Sequence, residues 1–139
     1  MHIQIDSEPL NRIERTLNAM TSERVKRAIA MSVVGTIKMN FRNQVAPDGT
    51  QWTPLKEATI RARRLNGQGA KIMRDTGNLL SSLNSKIESD SVVVGFNANY
   101  ADFHDSGTRH IPQRRLLPTV SNELDMNEIT DIIARAINA

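Results

Sequence analysis

The sequence predicts a single α+β domain over residues 1–139, with long N-terminal helices packed on a small antiparallel β-sheet and a C-terminal helix. Three observations carry this. Val25, Ile29, Val33, Ile37 and Phe41 recur every four residues, the period of one face of a helix. Around residues 86–96 the period becomes twofold, with Ser89-Asp90-Ser91 between Lys86-Ile87-Glu88 and Val92-Val93-Val94-Gly95-Phe96, which is the pattern of a hairpin. Near the end, Asp125 and Glu128 have capping-box spacing ahead of Met126, Ile129, Ile132, Ile133, Ala136 and Ile137.

The elements follow in chain order. Residues 2–6 alternate polar and apolar, which predicts a short strand. Ser7 is placed to cap a helix with Pro9 in its first turn and an apolar stripe of Leu10, Ile13, Leu17 and Met20. Thr21 or Ser22 then caps the long helix, about 22 residues by its period. Gly35 inside it predicts close packing of another backbone, because an interior glycine otherwise costs helix stability. Pro47-Asp48-Gly49 ends that region as a turn.

Thr53-Pro54 reads as cap and first residue of a third helix through Leu55, Ala58, Ala62 and Leu65. Asn66-Gly67-Gln68-Gly69 is a break, expected to be a mobile loop. Asp75 or Thr76 caps a short fourth helix carrying Leu79, Leu80 and Leu83. After the hairpin, Asn99 is expected to cap a single turn closed by Gly107, with Tyr100 and Phe103 packing inward. Residues 108–118 have no periodicity and read as extended chain or loop.

Composition narrows the function. With 139 residues, 39% of them hydrophobic and 24% charged, the chain is long enough for a real core and unlike a disordered one. It has no cysteine, which removes disulfide scaffolds, thiol nucleophiles and cysteine zinc sites and fits a reducing cytosol. No apolar run approaches the roughly 18–20 residues of a bilayer span, and the first residues lack a secretory pattern, so a soluble protein made in the cytoplasm, without membrane contact, is expected. Residues 1–70 hold 11 basic against 6 acidic residues and residues 71–139 hold 7 against 9, an asymmetry that suits head-to-tail assembly or anion contact. Only five aromatic residues, Phe41, Trp52, Phe96, Tyr100 and Phe103, are available, too few for the stacking platforms of a single-strand nucleic-acid binder.

Several local patterns suggest chemistry. Asp75-Thr76-Gly77 matches the tripeptide of retroviral-type aspartic proteases, where two carboxylates share a proton. A helix-capping role fits better, since Arg74 precedes it and helical residues follow. His104, Asp105 and His110, with Asp102, offer metal ligands, but at no helical ligand spacing, so no metal and no cofactor is expected. Arg61, Arg63 and Arg64, joined by Lys71 and Arg74, form a candidate anion or partner surface. Arg109, Arg114 and Arg115 bracket Ile111-Pro112, a composition common at interfaces. These six arginines, 61, 63, 64, 109, 114 and 115, are the candidate partner contacts. Trp52, in a Pro/Gly-rich turn, is either a lid on the core or an interface anchor.

Four ordered blocks resemble one family. Pro47-Asp48-Gly49-Thr50-Gln51-Trp52-Thr53-Pro54-Leu55, preceded by Phe41-Arg42 and followed by Thr59, carries a Gly-x-x-Trp-x-Pro-Leu pattern. Lys71-Ile72-Met73-Arg74-Asp75-Thr76-Gly77-Asn78-Leu79 supplies the Thr-Gly block, and Val94-Gly95 follows. Tyr100-Ala101-Asp102-Phe103-His104-Asp105-Ser106-Gly107-Thr108 and Ile111-Pro112-Gln113-Arg114-Arg115 close the set. Together they cover about residues 40–118 and resemble the phage virion morphogenesis family of tail completion proteins. The resemblance implies a structural, non-enzymatic protein without a cofactor that finishes the head-proximal end of a phage or prophage tail and permits head joining. It also implies that the chain acts as a ring of its own copies, against the tail tube or terminator and the head connector. It thus implies a place in the tail or neck of the virion, reached by assembly in the host cytoplasm. The alternative from composition is a small basic DNA-binding or packaging accessory protein resting on Arg61, Arg63 and Arg64.

Overall fold

The computed structural model describes residues 3–4, 7–65, 72 and 78–138. Helix α1 (Glu8–Thr21) leads into α2 (Glu23–Asn43), followed by α3 (Glu57–Leu65) and the single turn α4 (Asn78–Ser81). Strands β1 (Leu83–Ile87) and β2 (Val92–Phe96) form an antiparallel hairpin, and α5 (Ala101–Ser106), a 3-10 turn (Ser121–Glu123) and α6 (Met126–Asn138) complete the chain. The fold is α+β, helix-rich, with a two-stranded sheet.

Helix α2 organises everything else. Its N-terminus is capped by Ser22, whose Oγ accepts the Val25 amide at 3.2 Å. Gln44 ends it in the left-handed conformation. The predicted stripe turns inward through Ile37 and Phe41, both fully buried, to meet Ala46, Trp52, Leu79, Ala101 and Leu116 in one core. Phe41 meets Trp52 edge-on with ring centroids 5.1 Å apart, and Phe96 at 5.7 Å.

The hairpin lies against α2 with Leu83, Val94 and Phe96 packed on the core. Its register runs from Leu83 opposite Phe96 to Ile87 opposite Val92. Leu83 therefore belongs to a strand and not to the fourth helix the sequence predicts, because α4 stops after one turn and the chain enters the sheet. Lys26, buried on α2, donates from Nζ to the carbonyls of Glu88 and Ser89 at 2.6 and 2.9 Å and so holds the hairpin turn. Those carbonyls satisfy a charge that would be costly to bury alone.

Three further expectations change, and two concern residues outside the described ones. Ser7 makes no side-chain cap on α1; its own backbone is already helical, and its carbonyl accepts the Asn11 amide. Helix α3 begins at Glu57 rather than at Pro54, because the Thr53 and Pro54 carbonyls accept hydrogen bonds from Arg114 instead of from a following helical turn. Tyr100 and Phe103 do not pack inward, being 42% and 53% exposed. On so short a helix as α5, Ala101, His104 and Asp105 share the inner face, which turns Phe103 outward. The strand expected over residues 2–6 and the loop over residues 66–69 fall largely or wholly outside the described residues.

Among the described residues Gly35 does not meet another backbone, since none lies within 4 Å of a Cβ built there. Gly35→Ala is accordingly expected to stabilise the isolated protomer by about 1 kcal/mol. A urea titration checks this as a higher midpoint at unchanged slope.

Candidate functional site

The loop after α5 closes on itself and then runs back across the domain. Gly107 ends α5 at φ 77°, and a Cβ there would come within 3.0 Å of Gln113. Only glycine fits both the backbone angle and the space. The Thr108 amide donates to the Ile111 carbonyl, and Thr108 Oγ1 accepts the amides of His110 and Ile111. The turn thus delivers Pro112 and the residues after it into a cleft between α5 and residues 48–54.

That segment is fastened on both sides. On the α5 side, the Arg114 amide donates to the His104 carbonyl at 2.8 Å. Asp105 Oδ1 accepts the amides of Leu116 and Leu117 at 2.7 and 3.3 Å, and Gln113 Nε2 donates to the Asp105 carbonyl. On the other side, Arg114 Nε and Nη2 donate to the carbonyls of Thr53 and Pro54 at 2.8 and 3.2 Å. Trp52 Nε1 donates to the Arg115 carbonyl at 3.0 Å. Arg115 forks onto both oxygens of Glu123 at 3.0 and 2.9 Å, with Asp48 3.9 Å away.

This clamp relocates two of the candidate contacts. Arg114 is buried, 7% exposed, and its guanidinium serves the protomer's own backbone instead of facing a partner. Arg115 is largely covered and paired with Glu123. Arg61, Arg64 and Arg109 are exposed, and Arg63 is half-buried. Arg63 is also near enough to Arg114 to oppose its charge, so α3 flanks the clamp. Lys71, Arg74 and Asp75-Thr76-Gly77 lie outside the described residues. Trp52 resolves as a core residue, 4% exposed.

His104 packs half-buried and edge-on against Tyr100, with its Nδ1 lacking a hydrogen-bond partner. His110 is exposed on the loop. Among the described residues no group of three or more His, Asp or Glu side chains converges as a metal site would require. Asp105, read from sequence as a possible ligand, is instead the acceptor that ties residues 116 and 117 to α5. Sequence reasoning missed Glu123 and Lys26 entirely, and no periodic signal marks either one.

Two of the clamp's ionisations, those of His104 and Glu123, shift in the same direction. Burial, and then the neighbouring Arg114 charge, holds the His104 pKa below its ordinary 6.5. The Arg115 hydrogen bonds, and then the Thr119 amide, push Glu123 from 4.5 down to about 2. Both folded pKa values lie below the unfolded ones, so each group stabilises fully above its unfolded pKa and loses that contribution as pH falls. Urea midpoints are expected to begin dropping below pH 6.5 and to drop again between pH 4.5 and about 2. Glu123→Gln should flatten the lower step and leave the upper one.

The family model for the phage virion morphogenesis family matches residues 5–138, nearly the whole chain. The chain belongs to that family. No curated protein and no solved structure matches it. In this virion morphogenesis protein, the Trp52, Tyr100–Thr108 and Pro112–Arg115 blocks meet in one clamp of hydrogen bonds. Leu79, at the end of the remaining block, joins the core beneath them. The shared pattern thus bears on how the domain is held together, since Trp52, Asp105 and Arg114 within it bond to their own chain. Membership carries a structural role in phage virion assembly.

Proposed function

We propose that this protein completes the head-proximal end of a phage tail and enables head–tail joining, as a homo-oligomeric ring bound to tail tube or terminator and head connector proteins. Its role is structural and not enzymatic, and its place is the tail or neck of the virion. The observation that carries this reading is the apolar surface left open by three helices. Leu10, Ile13 and Leu17 on α1, Met31 and Met39 on α2, and Leu65 on α3 are all more than half exposed in the protomer. Apolar side chains repeated along one helix face mark surfaces that partners cover. A structural role is further supported by Trp52, Asp105 and Arg114 in the family's blocks, whose polar groups are bonded to their own chain.

The test is assembly without the protein. Particles produced in its absence should accumulate as filled heads beside unjoined tails under the electron microscope, and adding purified protein should restore joining. Normal particle yield without it would end the reading. The exposed Arg61 and Arg64 also suit duplex DNA, a second reading that predicts binding falling steeply with added salt.

A further inference from the structure

Resting on the reading that copies of the chain assemble with one another, we propose that α3 of one copy docks into the groove between α2 and α6 of the next. Leu65 enters among Met31, Gly35 and Met39, and Arg61 and Arg64 face Asp125 and Glu128.

The groove is an open trough of about 350 Å³. Met31, Gly35 and Met39 lie at intervals of four and so form a second stripe on α2, turned away from the core. Met31 is 74% exposed, and the glycine between the methionines leaves room for a side chain from outside. Among the described residues nothing uses that room.

The same groove holds two unanswered polar atoms. Ser32 Oγ, on a residue 6% exposed, and Asn40 Nδ2 are buried without a hydrogen-bond partner. Both residues line the trough. Buried polar groups are nearly always bonded, so the two point to an occupant that brings acceptors. Leu65, the last described residue of α3, offers an apolar side chain that is 88% exposed.

Charge completes the match. Arg61, Arg64 and Leu65 share one face of α3, at i, i+3 and i+4. Neither arginine has a partner among the described residues. Asp125 and Glu128 stand at the start of α6 on the groove's rim. Asp125 Oδ1 caps the Glu128 amide at 3.1 Å, while the Glu128 side chain is exposed. Basic helix and acidic rim also follow the charge asymmetry of the chain, basic before residue 70 and acidic after it. Because the two surfaces comprise different residues, the contact is heterologous and repeats from copy to copy, as a ring requires.

The test is sedimentation of the full chain across increasing protein concentration, alone and as variants. Arg61→Glu with Arg64→Glu, and separately Glu128→Lys, are each expected to weaken self-association at least about tenfold. Mixing the two variants should restore part of it, since every α3 then meets a residue of opposite charge at position 128. Gly35→Met should block association while leaving the protomer's melting temperature no lower, because its side chain fills space that is empty in the isolated chain. Self-association unchanged by all three variants overturns the interface and leaves the ring standing, and variants that dissociate but do not recover on mixing overturn it as well. If the arginine variant loses duplex DNA yet still self-associates, the arginines serve nucleic acid and the interface falls. A wild-type chain that stays monomeric at every concentration and on isolated tails removes both the interface and the ring.

Discussion

Trp52→Ala is expected to cost about 3–5 kcal/mol, the range for deleting a buried aromatic side chain, and so to leave little folded protein at physiological temperature. Three losses coincide at this residue. The indole fills the core beside Phe41, at 5.1 Å between ring centroids. Its Nε1 donor is the bond that fixes the Arg115 carbonyl. Its removal therefore also frees the segment on which Arg115 and Glu123 meet. Trp52→Phe separates these contributions: it keeps most of the ring packing, deletes the donor, and should cost about 1 kcal/mol beyond the volume lost. Urea unfolding followed by circular dichroism reads both variants. A Trp52→Ala protein as stable as wild type would mean that the clamp is not part of the cooperative core.

Arg114→Met is expected to cost about 2–4 kcal/mol although it replaces a charge with an apolar side chain of similar length. A surface arginine changed in this way shifts stability by no more than about 0.5 kcal/mol. Here the guanidinium supplies two charge-assisted bonds to the Thr53 and Pro54 carbonyls, and its loss strands those acceptors in a covered site. Arg114→Lys should recover only part of the loss, since an ammonium lacks the planar fork that reaches both carbonyls. Arg109→Met serves as the control, because Arg109 is exposed on the same loop. If Arg114→Met behaves like that control, the bonds to residues 53 and 54 do not contribute to stability.

Arg114 also shows where sequence reading stops. The four-residue period of α2 and the change to twofold period at the hairpin are local signals, and both elements fold where they predict. The α1 stripe is equally plain, yet amphipathicity states which face is apolar and says nothing of what covers it. A charged residue in an aperiodic loop reads as surface by default. What buries Arg114 is a pair of carbonyls about 60 positions away in the chain, and no local window contains them. Asp105 and Glu123 were hidden for the same reason, since their partners are chosen by the path of the loop. The family resemblance reached these positions because it compares whole patterns, although it could not say that they act on one another.

The clamp joins residues 61 and 63 positions apart, and Lys26 spans as much chain in holding the hairpin turn, whereas Ser22 and the α6 cap bond within a few residues of themselves. Contacts across so much chain carry a larger closure entropy and form only after the intervening helices are in place. The extended segment is therefore expected to close late as the protein folds. In stopped-flow experiments, Arg114→Met should leave the refolding rate nearly unchanged and quicken unfolding. A newly made chain would pass through a stage in which its helices are formed while this closing segment still hangs open.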